Sequence, residues 1–301
     1  MKRTVAVTGA TGFVGAETVD QLLAAGFTVR ALARRAQKEH AGVTWVTGDL
    51  HTPDALDTLL AGADRVLHIA GVVNAPDRTG FEAGNAIGTA NVIAAMQRAD
   101  LRRLVHISSL AARQPGLSDY CWSKHLAEEN VLSSGLDWTI VRPPAVYGPR
   151  DTEFRELLRV ARRGILPIPP KGRASLIHVR DLAALLVALC GTAGDSHIGA
   201  TWEVDDNAPG GLSHPELAAA FGRALGRKVR AIPLPRTLLM SFAGIDRLAR
   251  GKHAKLTPDR VRYMCYPDWV ADPAKKPPVD FWLPQIGTDT GLAEIAAGFR
   301  N

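Results

Sequence analysis

Tyr120 and Lys124 stand four residues apart in Tyr120-Cys-Trp-Ser-Lys124, a spacing that puts both side chains on one face of a helix. An ammonium held near a phenol favours the phenolate, so the pair predicts a Tyr120 pKa below the ordinary value of about 10. A phenol tuned in that way can give a proton to, or take one from, the oxygen of a carbonyl or an alcohol. Ser109, which ends Val105-His-Ile-Ser-Ser109, is placed to donate a hydrogen bond to the same oxygen, with Ser108 as its one-residue alternative.

A second constellation lies near the start of the chain. Thr8-Gly-Ala-Thr-Gly-Phe-Val-Gly15 follows an apolar strand and opens an amphipathic segment, as a pyrophosphate-binding turn must. Gly9 permits the tight turn, Gly12 lets backbone amides approach an anion and Gly15 allows helix and strand to pack closely. Thr11, Phe13 and Val14 share that turn and complete the expected phosphate cradle. Hydride would then pass between the substrate carbon and a nicotinamide. An NAD site commonly has a carboxylate after the second strand, whereas here Ala33 is followed by Arg34 and Arg35. Two guanidinium groups suit a 2′-phosphate, so NADP is the expected cofactor and NAD the alternative. Asp49, beside Leu50 after the third strand, is placed either to reach the adenine amino group or to cap the next turn.

The elements that must position these groups alternate. Short β-branched runs at Arg3–Thr8, Thr28–Ala33, Val43–Thr47, Arg65–Ile69 and Leu104–Ser108 are separated by amphipathic segments. Runs that are apolar throughout belong to strands buried on both faces, and the rhythm predicts an α/β fold: a Rossmann-type doubly wound parallel sheet with a smaller C-terminal substrate lobe. The expected boundaries are 1–150 for the dinucleotide-binding domain, with 175–200 returning to it as strand and helix, and 151–174 with 201–301 for the lobe.

At this point the chain resembles the extended branch of the short-chain dehydrogenase/reductase superfamily. The resemblance rests on Thr8–Gly15, His68-Ile-Ala-Gly71, Asn85-x-x-Gly-Thr-x-Asn91, Ser108-Ser109, Tyr120 with Lys124, Arg142-Pro-Pro-Ala-Val-Tyr-Gly-Pro149 and Ile177-His-Val-Arg-Asp-Leu182. It implies Tyr120 as acid/base, Lys124 holding the nicotinamide ribose, Ser109 orienting the substrate oxygen and Asn85 supporting the site. It also implies Ala70, Gly71, Ser108, Pro143 and Val146 near the cofactor. A helix cap is the competing structural role for Asn85. Sugar-nucleotide epimerases of the family usually carry Asn at the place of Ala145, and dehydratases an acidic pair where Leu110 and Ala111 stand. The expected activity is therefore interconversion of a ketone and a secondary alcohol on a small apolar or ring-bearing substrate. The short segment from Ser109 to Tyr120 also resembles the accessory dinucleotide-binding subunit of respiratory complex I, which makes a structural or assembly protein the second reading. An epimerase or dehydratase with retained NAD is the third.

Composition is that of a globular protein, 46% hydrophobic and 22% charged over 301 residues. The apolar runs Leu182–Cys190 and Leu238–Ile245 are too short to span a bilayer. Cys121, Cys190 and Cys265 are widely spaced, and no signal sequence precedes the first strand, so a reducing, cytoplasmic setting is expected. Nine histidines show no metal-ligand spacing; His68 and His106 fall inside strands, and no metal is proposed. Residues 1–150 carry 15 Lys/Arg against 14 Asp/Glu, but residues 212–276 carry 13 against 5. Without interleaved aromatic residues this basic third does not point to nucleic acid; a solvated surface is expected, with peripheral membrane contact as the sharper alternative. Pro235–Arg250 has apolar residues at helical spacing between basic flanks, and packing into the lobe core is the expectation for it. The same is expected of Trp202, Trp269 and Trp282. The helices at Asn85–Arg98 and Tyr120–Ser133 are candidate surfaces for a homodimer.

Overall fold

The computed structural model describes residues 3–191, 197–251 and 254–298. Its first half repeats strand and helix: β1 (Thr4–Thr8), α1 (Phe13–Ala24), β2 (Thr28–Ala33), β3 (Val43–Thr47), α2 (Pro53–Leu60), β4 (Arg65–His68), α3 (Arg78–Phe81), α4 (Gly88–Arg98), β5 (Arg103–Ile107), α5 (Asp119–Leu132) and β6 (Asp137–Arg142). A π-helical turn at Glu82–Ile87 joins α3 to α4. Successive strand residues point to opposite faces, and both faces are apolar here. Val5, Val7, Leu67 and Val105 pack on one side with residues of α1, while Ala6, Val66, Leu104 and Ile140 pack on the other with residues of α2, α4 and α5.

The second half is less regular: β7 (Ala145–Tyr147), α6 (Thr152–Ala161), β8 (Ile165–Ile168), β9 (Arg173–Ala174), β10 (Leu176–His178), α7 (Val179–Gly191), β11 (Ala200–Glu203), β12 (Leu212–Ser213), α8 (His214–Leu225), β13 (Arg230–Pro233), α9 (Arg236–Arg250), α10 (Pro258–Met264), β14 (Asp268–Trp269) and α11 (Thr288–Ala297). The central sheet has seven strands in the order β11-β6-β5-β4-β1-β2-β3, all neighbours parallel. The segment at 175–200 is divided between two sheets. Helix α7 does cover the sheet beside α1, through Leu182, Leu185, Leu186 and Leu189. The strand before it, β10, instead pairs with β7 in a two-stranded sheet of its own, and β11 is the strand that extends the central sheet. Register explains the difference: β11 continues the parallel ladder from Thr139 to Arg142, which occupies the free edge of β6.

A separate core of Tyr147, Phe154, Leu158, Phe221, Leu292 and neighbouring residues joins α6, α8 and α11. Helix α8 is well started and well stopped. Ser213 and Glu216 form a reciprocal capping box, and Gly226 leaves the helix at φ +63°. Trp202 is not in that lobe: it lies in β11 and packs against the central sheet with Phe281 and Trp282. No described helix is long and apolar enough to cross a membrane.

Candidate active site

The glycine turn sits at the carboxyl end of β1, where the backbone must reverse into α1. Gly9 has φ +73°, and a Cβ there would lie 2.6 Å from the Ala70 nitrogen. A Cβ on Gly15 would lie 2.0 Å from the Gly9 oxygen, so the first turn of α1 can rest on the β1 turn only as glycine. Gly12 caps α1 without any side-chain hydrogen bond, and Thr11 and Gly12 are exposed with Phe13 and Val14 half-buried. The helix thus offers unpaired N–H groups and the positive end of its dipole, the requirements of a pyrophosphate site.

Arg34 and Arg35 follow β2 at the surface; among the described residues neither forms a close ion pair, although the Arg34 charge reaches Asp49 and helps hold its pKa down. Asp49 makes bonds of the capping kind. Its Oδ1 accepts from the His51 nitrogen (2.8 Å) and the Thr52 hydroxyl (3.0 Å), and the His51 bond leads the causes that hold its pKa down. Leu50 packs under Gly88 and gives its carbonyl to Asn91 Nδ2 at 2.8 Å. The Ala70 nitrogen donates to the Thr8 hydroxyl at 3.2 Å, closing the strand end beside Gly71.

Ser109 lies two residues past β5; its hydroxyl accepts from the Ala111 nitrogen at 3.1 Å and is near enough to the Tyr120 phenol to favour the phenolate. Helix α5 carries both Tyr120 and Lys124. Ser118 caps it through the Cys121 nitrogen at 3.1 Å. Lys124 is buried, and its Nζ donates to the Ile107 carbonyl at 2.9 Å. An added Cβ on Gly71 would lie 3.8 Å from that Nζ, so the ammonium faces the strand-end glycine. Ser108 stays behind with a buried, unpaired hydroxyl, which separates the two serines that the sequence left interchangeable. Pro143 accepts from the Leu110 nitrogen at 3.1 Å, and Val146 lies in β7 beside Ile177.

Electrostatically the site departs from the sequence expectation. Burial raises the Tyr120 pKa above its usual value and outweighs the Ser109 hydrogen bond, which acts in the other direction. Burial also brings Lys124 down to about 8, partly opposed by Glu128. The Lys124 ammonium points to Ile107 rather than to the phenol, so helical spacing alone overstated their coupling. His68, pushed down to about 3 by burial and then by Lys124, is a neutral ring held between the Thr8 and Thr89 hydroxyls at 2.6 and 3.0 Å. Among the described residues no group of three or more His, Cys, Asp or Glu is placed to hold a metal ion.

Asn85 does not cap a helix. Inside the π-helical turn it is buried, and its Oδ1 accepts from the Val72 nitrogen at 2.8 Å. Its Nδ2 donates to the Val72 carbonyl and to Ser123 Oγ, whose hydroxyl donates to the Tyr120 carbonyl at 2.8 Å. The extra residue of the π turn swings Asn85 inward, making it a clamp between the loop after β4 and α5.

Two residues from α10 escaped the sequence reading. Asp259 accepts from the Asp119 nitrogen at 2.6 Å and from the Tyr120 nitrogen at 3.4 Å, so the second half of the chain satisfies the start of α5. Tyr263 packs on Tyr120 with ring centroids 5.4 Å apart, opposite Phe81 at 6.0 Å. Neither has a sequence signal, because more than a hundred positions separate them from α5. Trp269 supports this roof by donating to the Tyr263 carbonyl at 2.8 Å, instead of filling a lobe core.

Residues 9–192 match a family model described as NAD(P)H-binding. A ceramide reductase of Caulobacter vibrioides is 40% identical over 77% of this chain and 73% of its own length. A (4-alkanoyl-5-oxo-2,5-dihydrofuran-3-yl)methyl phosphate reductase of Streptomyces griseus is 31% identical over 79% of this chain and 80% of its own. The UDP-glucuronic acid 4-epimerase of Bacillus cereus, solved with UDP-glucuronic acid and NAD, superposes with a TM-score of 0.75 at 18% identity, covering 99% of each chain. That likeness concerns the fold.

Proposed function

The chain belongs to the NAD(P)H-binding family, as an enzyme of the extended short-chain dehydrogenase/reductase superfamily, and from that premise we propose that it is an NADPH-dependent reductase of a ketone borne on an apolar, acyl-chain-bearing molecule. The observation that carries the reading is the Tyr120 phenol, set beside Ser109 and packed against the rings of Tyr263 and Phe81. A phenol whose pKa is raised stays protonated at neutral pH, which suits donation to a carbonyl oxygen as it becomes an alcohol. Ser109 orients that oxygen, and Lys124, one turn along α5 and held by the Ile107 carbonyl, places its ammonium toward Gly71, where the nicotinamide ribose would lie. The hydride comes from NADPH when it is bound.

The Gly9–Gly15 cradle fits the pyrophosphate, and the exposed guanidinium groups of Arg34 and Arg35 fit a 2′-phosphate. The substrate class is supported by the aromatic roof and by the relatives, which are named as reductases of a ceramide and of an alkanoyl compound.

NADPH oxidation is measured with a long-chain N-acyl amino ketone, its short-chain analogue and a flavanone. The long-chain ketone is the expected substrate. Tyr120→Phe is expected to lower kcat by about 10²- to 10⁴-fold with NADPH fluorescence titration unchanged. Arg34→Ala with Arg35→Ala is expected to weaken NADPH about tenfold or more and to leave NADH unaffected. Wild-type turnover by Tyr120→Phe would remove its proton-transfer role, and equal loss of both cofactors would remove the arginine clamp.

A further inference from the structure

Helix α9 has two apolar faces, and one of them has no partner among the described residues. Leu239 and Ala243 are buried against Val261 of α10, which accounts for one face. Leu238, Phe242, Ile245 and Ala249 recur at the spacing of a single stripe, with Leu248 alongside. This stripe faces solvent: Leu238 is 38% exposed, Phe242 44%, Ile245 61% and Leu248 90%. The expected packing of these side chains into the lobe core therefore fails for all but Leu239. The strand that leads into α9 exposes apolar groups of its own. Arg230, Ile232, Ile165 and Pro167 share one face of the β8–β13 pair, and Ile165 and Ile232 are 41% and 38% exposed.

The charge around these apolar groups has one sign. Residues 227–250 hold six Lys/Arg and a single carboxylate, Asp246. That carboxylate is occupied internally, accepting from the Lys255 and Leu256 nitrogens and pairing with Arg250 at 3.2 Å. Arg162, Arg163, Lys228, Arg230, Arg236 and Arg247 have no carboxylate partner among the described residues. Helix stability does not account for Arg236. It opens α9, where the dipole disfavours a cation, and no acidic residue shares the first turn. Exposed apolar side chains set among unpaired cations match a bilayer that presents anionic headgroups over an acyl interior.

We propose that the β13–α9 surface docks this protein on an anionic lipid bilayer, with Phe242, Ile245 and Leu248 entering the boundary between headgroups and acyl chains. Because α9 packs on α10, and α10 carries Tyr263 over Tyr120, docking would set the roof of the active site at the membrane surface. An acyl-chain-bearing ketone could then reach Tyr120 without crossing water. That delivery role rests on the proposed substrate class, but the docking itself does not, and its test involves no turnover.

The full chain is sedimented with vesicles of phosphatidylcholine alone and of phosphatidylcholine mixed equally with phosphatidylglycerol. Binding to the anionic vesicles only, with release between about 0.05 M and 0.5 M salt, is the expected result. Combined Phe242→Ser, Ile245→Ser and Leu248→Ser is expected to abolish binding with NADPH titration and thermal melting preserved. Arg230→Gln and Arg236→Gln should each weaken it about fivefold, which tests the surface without touching the stripe. The proposal is overturned if anionic vesicles bind no better than neutral ones, or if the triple variant binds like wild type. It is equally overturned if the free protein sediments as a dimer that the triple variant converts to monomer, since the face would then belong to a second copy.

Discussion

Lys124 shows how one buried cation links chemistry to stability. Its pKa falls to about 8 from 10.5 because the ammonium has left water, gaining only the Ile107 carbonyl and the more distant Glu128 in exchange. Below pH 8 both folded and unfolded chains hold the proton, so the penalty acts in full. Between about 8 and 10.5 the folded chain releases it first, and this group's contribution to stability rises with pH. Lys124→Met removes the dependence. Urea unfolding of both proteins should show wild type gaining about 3 kcal/mol relative to the variant from pH 7 to above pH 10. A constant difference across that range would mean the ammonium is better solvated than its burial indicates. Tyr120 presents the opposite relation of spacing to environment: four residues put it on the face of Lys124, yet burial, to which the rings of Phe81 and Tyr263 contribute, raises its pKa.

Among elements, α5 has the heaviest task, since it carries Tyr120 and Lys124 and is held at its start from elsewhere. Its own sequence supplies Ser118 as cap, which an Asp or Ser before a helix always suggests. The acceptor for the next two N–H groups is Asp259 of α10, and burial raises the pKa of that carboxyl despite those bonds. Asp259→Ala leaves both donors unpaired beside Tyr120. The expected cost is about 1–2 kcal/mol of stability, with kcat reduced several-fold and NADPH affinity retained, measured by single-turnover kinetics and fluorescence. A parallel loss of cofactor affinity would show that α10 supports the whole nucleotide site instead of the start of α5.

At the scale of the molecule, the two halves are joined by a buried ion network at the carboxyl ends of β6 and β11. Glu203 is fully buried, pairs with Arg113 at 3.0 Å and Arg142 at 3.4 Å, and accepts from the Asp272 nitrogen at 2.9 Å. Arg142 also makes a two-point contact with Glu128 of α5, at 2.8 and 2.5 Å. Removing one member strands the others away from water, so Glu203→Ala is expected to cost about 3–5 kcal/mol, read from the urea midpoint. A loss below about 1 kcal/mol would mean the arginines find water or another carboxylate.

The sequence alone determined what is local or periodic. Alternating apolar runs dictate buried parallel strands, and Gly9 and Gly15 dictate a turn that no larger residue enters. The spacing of Tyr120 and Lys124 likewise placed them on one helix. Only the tertiary structure decided what depends on residues distant in the chain: the Asp259 and Tyr263 contacts with α5, the diversion of β10 from the central sheet, the inward turn of Asn85, and the exposure of the α9 stripe. The reason is physical. Periodicity reports which side chains share a face, but burial, and with it pKa and exposure, is set by whatever the rest of the chain lays against that face.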